Sequence, residues 1–416
     1  MKPTPDDIIQ KRIVELSKDP DLIEKLTLSF APGIIGQWTI KISLLLHLVG
    51  GVHRERNRFS SRGAIHVLLI GDPGTGKTSL LRAAESLCDT VSVTGTGVNV
   101  DGLAAFTSID HQGTPMIHEG ILVKADQRHL HVDKLDKMSH ESRSVLEYAL
   151  DHQSYPYSKN GVTKVLDTRV SVLATGNPCL GRYNPYQPVA QNINLPIGLL
   201  SCFDLIIILR DKPDEARDRV IAEKILELDH DEGDGQIDHP VLCAYLAKAA
   251  SLSPSLSREA KTRLRDFYLD IRRASDQGDA ISITPHQLLS LIRLGEAYAK
   301  LHLRETVTGN DVEVASRIFS ASLEQVGIDP VSNIYDIDVL YTGRPTVLNS
   351  KLLKVVEAFS ELEKLTGAVQ ESDLQSLLFE RFGMTRRTVA RLLRTLVKED
   401  IISQHAPGIY KRRGNR

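Results

Sequence analysis

The 416-residue sequence has few cysteines and no long hydrophobic run. Its four cysteines are Cys88, Cys179, Cys202 and Cys243. None of them forms a Cys-x-x-Cys pair, which excludes a zinc ribbon, and so few scattered cysteines are typical of a reducing compartment. No stretch reaches the roughly 18 apolar residues that a membrane-spanning helix needs. The N-terminus lacks the apolar region of a signal peptide. These absences predict a cytoplasmic protein with no membrane partner.

The sequence also lacks an overall charge of one sign. It has 51 basic and 53 acidic residues and a formal net charge of −2. The exception is the C-terminal stretch 383–416, which has nine Lys and Arg residues but only two Asp and Glu residues. This local excess predicts a surface for an anionic partner, although a solvated basic tail would look the same.

A glycine-rich segment matches the phosphate-loop pattern G-x-x-x-x-G-K-[ST] at every fixed position. Its residues are Gly71, Asp72, Pro73, Gly74, Thr75, Gly76, Lys77 and Thr78. An apolar run at 65–70 precedes it and a helical pattern follows, which is the context that a phosphate loop needs. The backbone N–H groups and the helix N-terminus would bind phosphates. Lys77 would neutralise the β- and γ-phosphates and Thr78 would hold Mg²⁺, so ATP with Mg²⁺ is the predicted cofactor.

Two further polar residues end predicted strands of the same sheet. Asp133 ends the run 129–133 and is predicted to position Mg²⁺ through water. Lys134 follows it, where most hydrolysing P-loop proteins have a glutamate that polarises the attacking water. Asn177 follows the run 171–176, where its amide would hold that water. Taken by itself, an asparagine before a proline is more often a residue of a turn.

The pattern of apolar residues predicts an α/β fold with additional domains. Residues 65–210 alternate strands and helices, as in a parallel sheet covered by helices on both faces. The predicted strands are 65–70, 129–133, 169–175 and 204–209. The predicted domains are an α/β nucleotide-binding domain with N-terminal helices at 1–235, a helical lid at 236–328, a linker at 329–350 and a winged helix at 351–416.

The C-terminal unit has the pattern of a helix-turn-helix followed by a hairpin. The two helices are predicted at Leu374–Phe379 and Thr385–Val397, and the hairpin, or wing, at Ile401–Lys411. Four arginines of the second helix are predicted to contact DNA: Arg386, Arg387, Arg391 and Arg394. In winged-helix proteins that helix enters the major groove. The same fold also serves protein docking, which stays open as the alternative.

Several segments together resemble the AAA+ ATPase core of the minichromosome maintenance (MCM) helicases, followed by a winged helix. The resemblance rests on Asp133-Lys134-Leu135-Asp136-Lys137-Met138, Gly176-Asn177-Pro178, Gly181-Arg182-Tyr183, Ile193-Asn194-Leu195-Pro196 and Phe203-Asp204-Leu205-Ile206. It implies an AAA+ P-loop ATPase fold, ATP and Mg²⁺ as cofactors, and a role in DNA replication. The family's N-terminal domain has no counterpart in the sequence, so a shortened archaeal-type homologue is expected.

The resemblance also places two loops that contact DNA in the family's hexamers. Gln153 to Arg169 resembles the pre-sensor-1 hairpin, with Lys159 at the position of the tip lysine. Ser108 to Gly120 resembles the helix-2 insert. Read without the family, Lys159 is an ordinary lysine of a turn.

Three departures from the family pattern concern catalysis. Lys134 stands at the position of the catalytic glutamate, Cys202 at that of the arginine finger, and His286 at that of the sensor 2 arginine. We therefore expect a degenerate MCM-like protein that binds ATP, hydrolyses it very weakly and binds DNA weakly through phosphates. The isolated chain is expected to be mainly monomeric, with a full-length MCM subunit as a possible partner and the nucleoid as its location when DNA-bound. The alternative is an active helicase subunit working in a hexamer with other MCM subunits.

Overall fold

The structure, a computed structural model, describes most of the chain. Its α/β domain has three layers, a central sheet with helices packed on each face. The described residues are 5–56, 59–109, 111, 114–159, 161–184, 192–211, 213, 215–226, 236–276, 285–326, 355, 358–359, 362–363, 369–382, 389–390, 392–393, 396, 402–406 and 408–412. Described helices are α1 Pro5–Ser17, α2 Leu22–Ser29, α3 Trp38–Val49, α4 Lys77–Glu85, α5 Val100–Leu103, α6 Ile121–Lys124, α7 His140–His152, α8 Ile197–Ser201, α9 Glu215–Leu226, α10 His239–Ala250, α11 Arg258–Asp276, α12 Pro285–Leu301, α13 Gly309–Val326 and α14 Glu371–Phe382. Described strands are β1 Arg54–Arg56, β2 Phe59–Ser61, β3 Val67–Gly71, β4 Thr90–Thr94, β5 Ala105–Ile109, β6 Pro115–Glu119, β7 His129–Asp133, β8 Ser154–Lys159, β9 Val162–Asp167, β10 Ser171–Gly176, β11 Leu205–Leu209, β12 Ser255–Leu256, β13 Thr306–Val307, β14 Val369–Gln370, β15 Ile402–Ala406 and β16 Ile409–Arg412.

The central sheet has five parallel strands in the order β11-β3-β10-β7-β4. This is the parallel sheet that the sequence predicts. Four of its strands coincide with the predicted runs to within two residues. β4 was not predicted, because its Thr-Val-Ser-Val-Thr sequence lies at an edge of the sheet and is only half buried. All five strands end at the same edge, which brings the loops that follow β3, β7 and β10 together.

Successive residues of the strands point into two separate apolar cores, as the twofold strand repeat requires. Val67 and Leu69 of β3 pack with helices α1 to α4 and with the lid. Leu68 and Ile70 of the same strand pack on the opposite face with residues of α7 and α8. All four side chains have no exposed surface. Burial on both faces explains why the run is continuously apolar rather than alternating.

The helical lid, α10 to α13, shares its core with helices α1 to α4. Tyr245 of α10 is fully buried and its hydroxyl donates to the carbonyl oxygen of Leu301 at 2.7 Å. The lid helix α12 packs on α3 and carries a buried row of charged residues at 293, 296 and 300. These residues join the lid to the P-loop domain.

Two antiparallel hairpins, β5–β6 and β8–β9, project from the α/β domain. They lie where the two DNA-contacting loops are predicted. A small cluster of buried Ala105, Tyr157 and Leu166 joins them. The Tyr157 hydroxyl lies 3.1 Å from the Thr107 hydroxyl, which adds a polar contact between the hairpins.

The C-terminal unit has a short antiparallel sheet in the order β14-β16-β15, with α14 following β14. A separate apolar core includes Val369, Leu374, Leu378 and Tyr410. The predicted linker 329–350 lies outside the described residues, as do parts of the predicted second helix. The winged-helix assignment and the domain boundaries therefore stay predictions.

Candidate nucleotide and nucleic-acid sites

The phosphate-loop residues form a tight turn between β3 and α4. Gly74 and Gly76 have φ angles of +83° and +84°, in the left-handed region that favours glycine. A side chain at Gly71 would place its Cβ 2.1 Å from the carbonyl oxygen of Leu209. Apart from its two chain neighbours, no heavy atom of the described residues lies within 4 Å of the Cβ position of Gly74, so this part of the structure leaves the loop open there. The glycines therefore have the conformational roles that the motif predicts.

Lys77 is buried across the base of this loop. Its Nζ donates to the carbonyl oxygens of Gly71 and Asp72 at 2.8 and 2.7 Å. Desolvation lowers the pKa of Lys77, and the nearby carboxylates of Asp72, Asp133 and Asp136 oppose this shift. Lys77 Nζ therefore lies at the edge where the strands end, bonded to the backbone of the loop.

Thr78 and Asp133 are the two residues predicted to hold Mg²⁺. Thr78 is exposed in the first turn of α4. Asp133, at the end of β7, accepts a hydrogen bond of 2.6 Å from the Thr175 hydroxyl through Oδ1. A hydroxyl and a carboxylate beside a phosphate loop are a ligand set that suits Mg²⁺. The residues therefore fit a nucleotide–magnesium group. Thr175, whose hydroxyl orients Asp133, was not predicted from the sequence.

Asp72 has a structural function that the motif did not reveal. Its side chain is buried and accepts two backbone N–H groups, from Tyr183 at 2.6 Å and from Asp211 at 3.0 Å. These residues belong to the loops that follow β10 and β11. Asp72 therefore ties the phosphate loop to both neighbouring loops.

Lys134 has a left-handed backbone, with φ 58° and ψ 54°, and an exposed side chain. Its N–H donates to the Thr175 hydroxyl at 3.0 Å, and the preceding carbonyl of Asp133 accepts the N–H of Gly95 at 2.8 Å. A Cβ on Gly95 would lie 2.2 Å from the Lys134 carbonyl oxygen. The backbone at this position is therefore fixed from two sides.

Asn177 follows β10 at the same edge of the sheet. Its backbone N–H donates to Oδ1 of Asp136 at 3.1 Å. Arg143 of α7 holds Asp136 through the backbone carbonyl at 2.7 Å. In the sequence, Asp136 is only one residue of a segment that resembles the family, and no role was predicted for it. The structure identifies it as the residue that fixes the backbone of Asn177.

Cys202 and His286 differ in exposure. Cys202 is 6% exposed, and its Sγ lies 3.4 Å from the carbonyl oxygen of Gly198 in its own domain. Burial raises the pKa of its thiol to about 12. His286 is exposed in the first turn of α12. Cys202 therefore faces the interior of its own domain, a direction that the sequence did not indicate.

A cavity of about 250 Å³ lies beside the phosphate loop and was not predicted. Ile34, Trp38 and Lys41 are among its lining residues. Ile34 Cδ1 is 3.4 Å from the Cβ position of Gly76, which places the cavity next to the loop. Trp38 is 48% exposed and is the chain's single tryptophan. In the sequence, the available signal for this cavity was a tryptophan that follows two glycines, Gly33 and Gly36.

Lys159 lies at the end of β8, near the tip of its hairpin, as predicted. Its Nζ is 2.6 Å from Oδ1 of Asp101. At the base of the hairpin, Arg169 donates to both carboxylate oxygens of Asp126, at 3.1 and 2.7 Å. The four predicted DNA-contacting arginines lie outside the described residues: Arg386, Arg387, Arg391 and Arg394. The structure therefore locates only the hairpin part of the predicted DNA surface.

Among the described residues, no group of three or more His, Cys, Asp or Glu side chains is arranged to hold a metal ion. None of the helices in the described part has the length and apolar character needed to cross a lipid bilayer.

The sheet order, the phosphate loop and the residues that end β7 and β10 define an AAA+ P-loop protein of the α/β class. The sequence models of the MCM P-loop domain and the MCM AAA-lid domain match residues 9–229 and 240–323. The chain belongs to the MCM family.

Curated relatives from archaea and eukaryotes match most of the chain. Minichromosome maintenance protein MCM of Saccharolobus solfataricus is 37% identical over 409 residues, which is 97% of this chain and 59% of the relative. DNA replication licensing factor MCM4 of Drosophila melanogaster is 37% identical over 372 residues, covering 87% and 43% of the two chains. The licensing factor mcm4 of Xenopus tropicalis is 33% identical over 406 residues, covering 94% and 47%. The chain thus spans about half the length of these relatives.

Proposed function

We propose that this chain binds ATP with Mg²⁺ at the phosphate loop. The observation that carries the proposal is the convergence of Lys77, Thr78 and Asp133 at one edge of the sheet, on a loop whose glycines have the required backbone. Lys77 and the loop N–H groups would bind the phosphates, while Thr78 and Asp133 would hold the metal. Bound ATP supplies the transferable γ-phosphoryl group.

The cavity at Ile34 and Trp38 extends this proposal to the rest of the nucleotide. It adjoins the loop through Ile34 and offers apolar and aromatic side chains. Such a surface would receive the base. Neither residue was a predicted site residue.

We propose that the chain by itself hydrolyses ATP very weakly. Lys134 presents an exposed ammonium where a base is needed, and the buried Cys202 offers no cation to a neighbouring subunit. His286 stands in place of a second arginine. Loss of one positioned base or one electrostatic contact typically slows catalysis about 10²- to 10⁴-fold. Asn177 would retain its role in positioning water.

We propose that the chain acts on DNA in replication, as the names of its relatives suggest for them. Lys159 and the predicted arginines of the winged helix would contact phosphates, so binding would be weak and independent of sequence. Without an arginine to reach a neighbouring nucleotide, the isolated chain would be mainly monomeric. A full-length MCM subunit is the proposed partner.

The second candidate is an active helicase subunit in a hexamer with other MCM subunits. The observation in its favour is the backbone at Lys134, which is held by the bond from its N–H to Thr175 and by the bond from Gly95 to the Asp133 carbonyl. A partner subunit would then have to supply the catalytic groups. Mixing the chain with a full-length MCM and measuring ATP hydrolysis distinguishes the two candidates.

The nucleotide proposal is tested by titrating Mg·ATP while recording Trp38 fluorescence, with calorimetry in parallel. We expect saturable binding with a dissociation constant on the order of micromolar to millimolar, together with phosphate release far below that of an active MCM. Lys77→Ala should abolish binding, whereas Lys124→Ala, at an exposed lysine of α6, should not. Absence of a calorimetric signal for the unaltered chain at millimolar ATP would refute the proposal.

A further inference from the structure

Lys159 is paired with an acidic residue from a different part of the chain. Its Nζ lies 2.6 Å from Oδ1 of Asp101, and both side chains are about half exposed. The pair raises the pKa of Lys159, chiefly through the hydrogen bond to Asp101. The cation that the sequence predicts to hold a phosphate therefore already has an anionic partner within the same chain.

Asp101 is held on a defined turn rather than on a free loop. It lies in α5, whose preceding residue Asn99 accepts the Gly102 N–H at 2.8 Å through its side chain. This cap fixes the start of the short helix. The position of the Asp101 backbone is thus set independently of Lys159.

The hairpin that carries Lys159 is also fixed, at both its base and its side. The Arg169–Asp126 pair holds the base, with two charge-assisted hydrogen bonds from one guanidinium. Tyr157 packs against the neighbouring hairpin and bonds to Thr107 at 3.1 Å. Both partners of the pair are therefore kept within reach of each other, which lowers the entropic cost of forming it.

We propose that Asp101 is an intramolecular competitor that limits how strongly Lys159 binds a nucleic-acid phosphate. The proposal rests on the proposed DNA binding and adds a residue that opposes it. A phosphate must displace the carboxylate before it reaches the ammonium. The Asp101 charge also repels the incoming phosphate over about a Debye length.

The size of the effect follows from the exposure of the pair. Exposed ion pairs contribute little, so removal of the competitor should strengthen binding about 1.5- to fivefold at low salt. The gain should shrink as salt rises, because both the pair and the repulsion are screened. The gain should also depend on Lys159, since without its ammonium there is no pair to break.

The experiment measures binding of the full chain to a fluorescently labelled single-stranded oligonucleotide by anisotropy, from about 50 to 200 mM salt. The variants are Asp101→Asn, Lys159→Ala and the double substitution. Asp89→Asn is the matched control, because Asp89 is also an exposed carboxylate paired with a cation, Arg128. Circular dichroism of each variant checks folding.

We expect Asp101→Asn to tighten binding and Lys159→Ala to weaken it. In the Lys159→Ala background the gain from Asp101→Asn should be clearly smaller, because only the repulsion by Asp101 is then removed and there is no ion pair to break. Asp89→Asn should leave the affinity unchanged. Equal gains from Asp101→Asn with and without Lys159, or no gain at all, would overturn the inference while leaving DNA binding intact. If no variant binds the oligonucleotide, the proposed DNA binding fails and the inference fails with it.

Discussion

Asp204 and Arg293 form a buried ion pair that joins the sheet to the lid, with Nη2 of Arg293 2.5 Å from Oδ1 of Asp204. Asp204 lies just before β11 and Arg293 in the middle of α12. The carboxylate also accepts hydrogen bonds from Ser290, Arg62 and the His66 N–H. Burial would raise the pKa of Asp204, but the two guanidinium groups outweigh it and hold the pKa well below its usual range. Every oxygen of this buried carboxylate is therefore satisfied.

Asp204→Asn should destabilise the protein strongly. It leaves two buried guanidinium groups without their counter-charge, and breaking such a buried pair costs about 3–5 kcal/mol. Urea unfolding followed by circular dichroism measures the loss. Asp266→Asn is the control, because Asp266 pairs with Arg265 at the surface and should change the free energy of unfolding by less than about 1 kcal/mol. Similar losses for the two variants would contradict the assignment of Asp204 as the central contact.

Stability should fall as the pH drops from about 6.5 towards 4. Burial lowers the pKa of His129 to about 4 and of His131 to about 3, and it also lowers the pKa of His47 and His66. In this window the unfolded chain binds protons that the folded chain does not. Each such histidine contributes a slope of up to about 1.4 kcal/mol per pH unit.

Urea unfolding at several pH values tests this, and His131→Leu should reduce the slope. The depressed pKa of Asp204 contributes only at lower pH, because its unfolded-state value is about 3.9. A free energy of unfolding that is constant from about pH 7 to pH 5 would show that the histidines do not titrate as their burial requires.

Gly95→Ala should disturb the edge of the sheet at which Mg²⁺ is proposed to bind. The new Cβ would lie 2.2 Å from the Lys134 carbonyl oxygen and force the turn after Asp133 to move. Overpacking of this kind costs about 1–3 kcal/mol. Gly97→Ala is the matched control, because its nearest neighbour, the Thr94 carbonyl oxygen, is at 3.6 Å. Gly95→Ala should lower the midpoint of thermal unfolding and weaken Mg·ATP binding, whereas Gly97→Ala should change neither. Equal results for the two variants would disprove the steric argument.

Lys134→Glu should not restore ATP hydrolysis in the isolated chain. The substitution supplies a carboxylate on an unchanged backbone, but Cys202 stays buried and gives a neighbouring site no cation. Phosphate release should therefore stay far below that of an active MCM, while Mg·ATP binding persists. Hydrolysis at an active-MCM rate in this single variant would mean that the missing base is the whole defect.

The sequence predicted the sheet well because its strands are continuously apolar runs followed by recognisable loops. β3, β7, β10 and β11 fall where these runs lie, and only the half-polar edge strand β4 was missed. The local sequence pattern is sufficient to predict a strand when both faces of that strand are buried.

The geometry of the site was less predictable, because it depends on contacts between distant segments. The motif gave the identity of Asp72, but its two backbone bonds come from residues more than a hundred positions away. Thr175 of β10 bonds to Asp133 of the neighbouring strand β7, and Asp136, after β7, accepts the N–H of Asn177, after β10. Cys202 points inward because it packs into an apolar core, and its residue type does not indicate this direction.

The burial of β3 on both faces should protect its backbone amides from exchange with solvent. The strand is hydrogen-bonded to β10 on one side and β11 on the other, and both apolar cores cover it. Amide protons of Leu68 to Ile70 should therefore exchange with solvent only when the domain unfolds as a whole. The phosphate loop is anchored to this strand. Its backbone entropy is lost during folding, so a nucleotide that binds there, as proposed, would meet a loop that is already ordered.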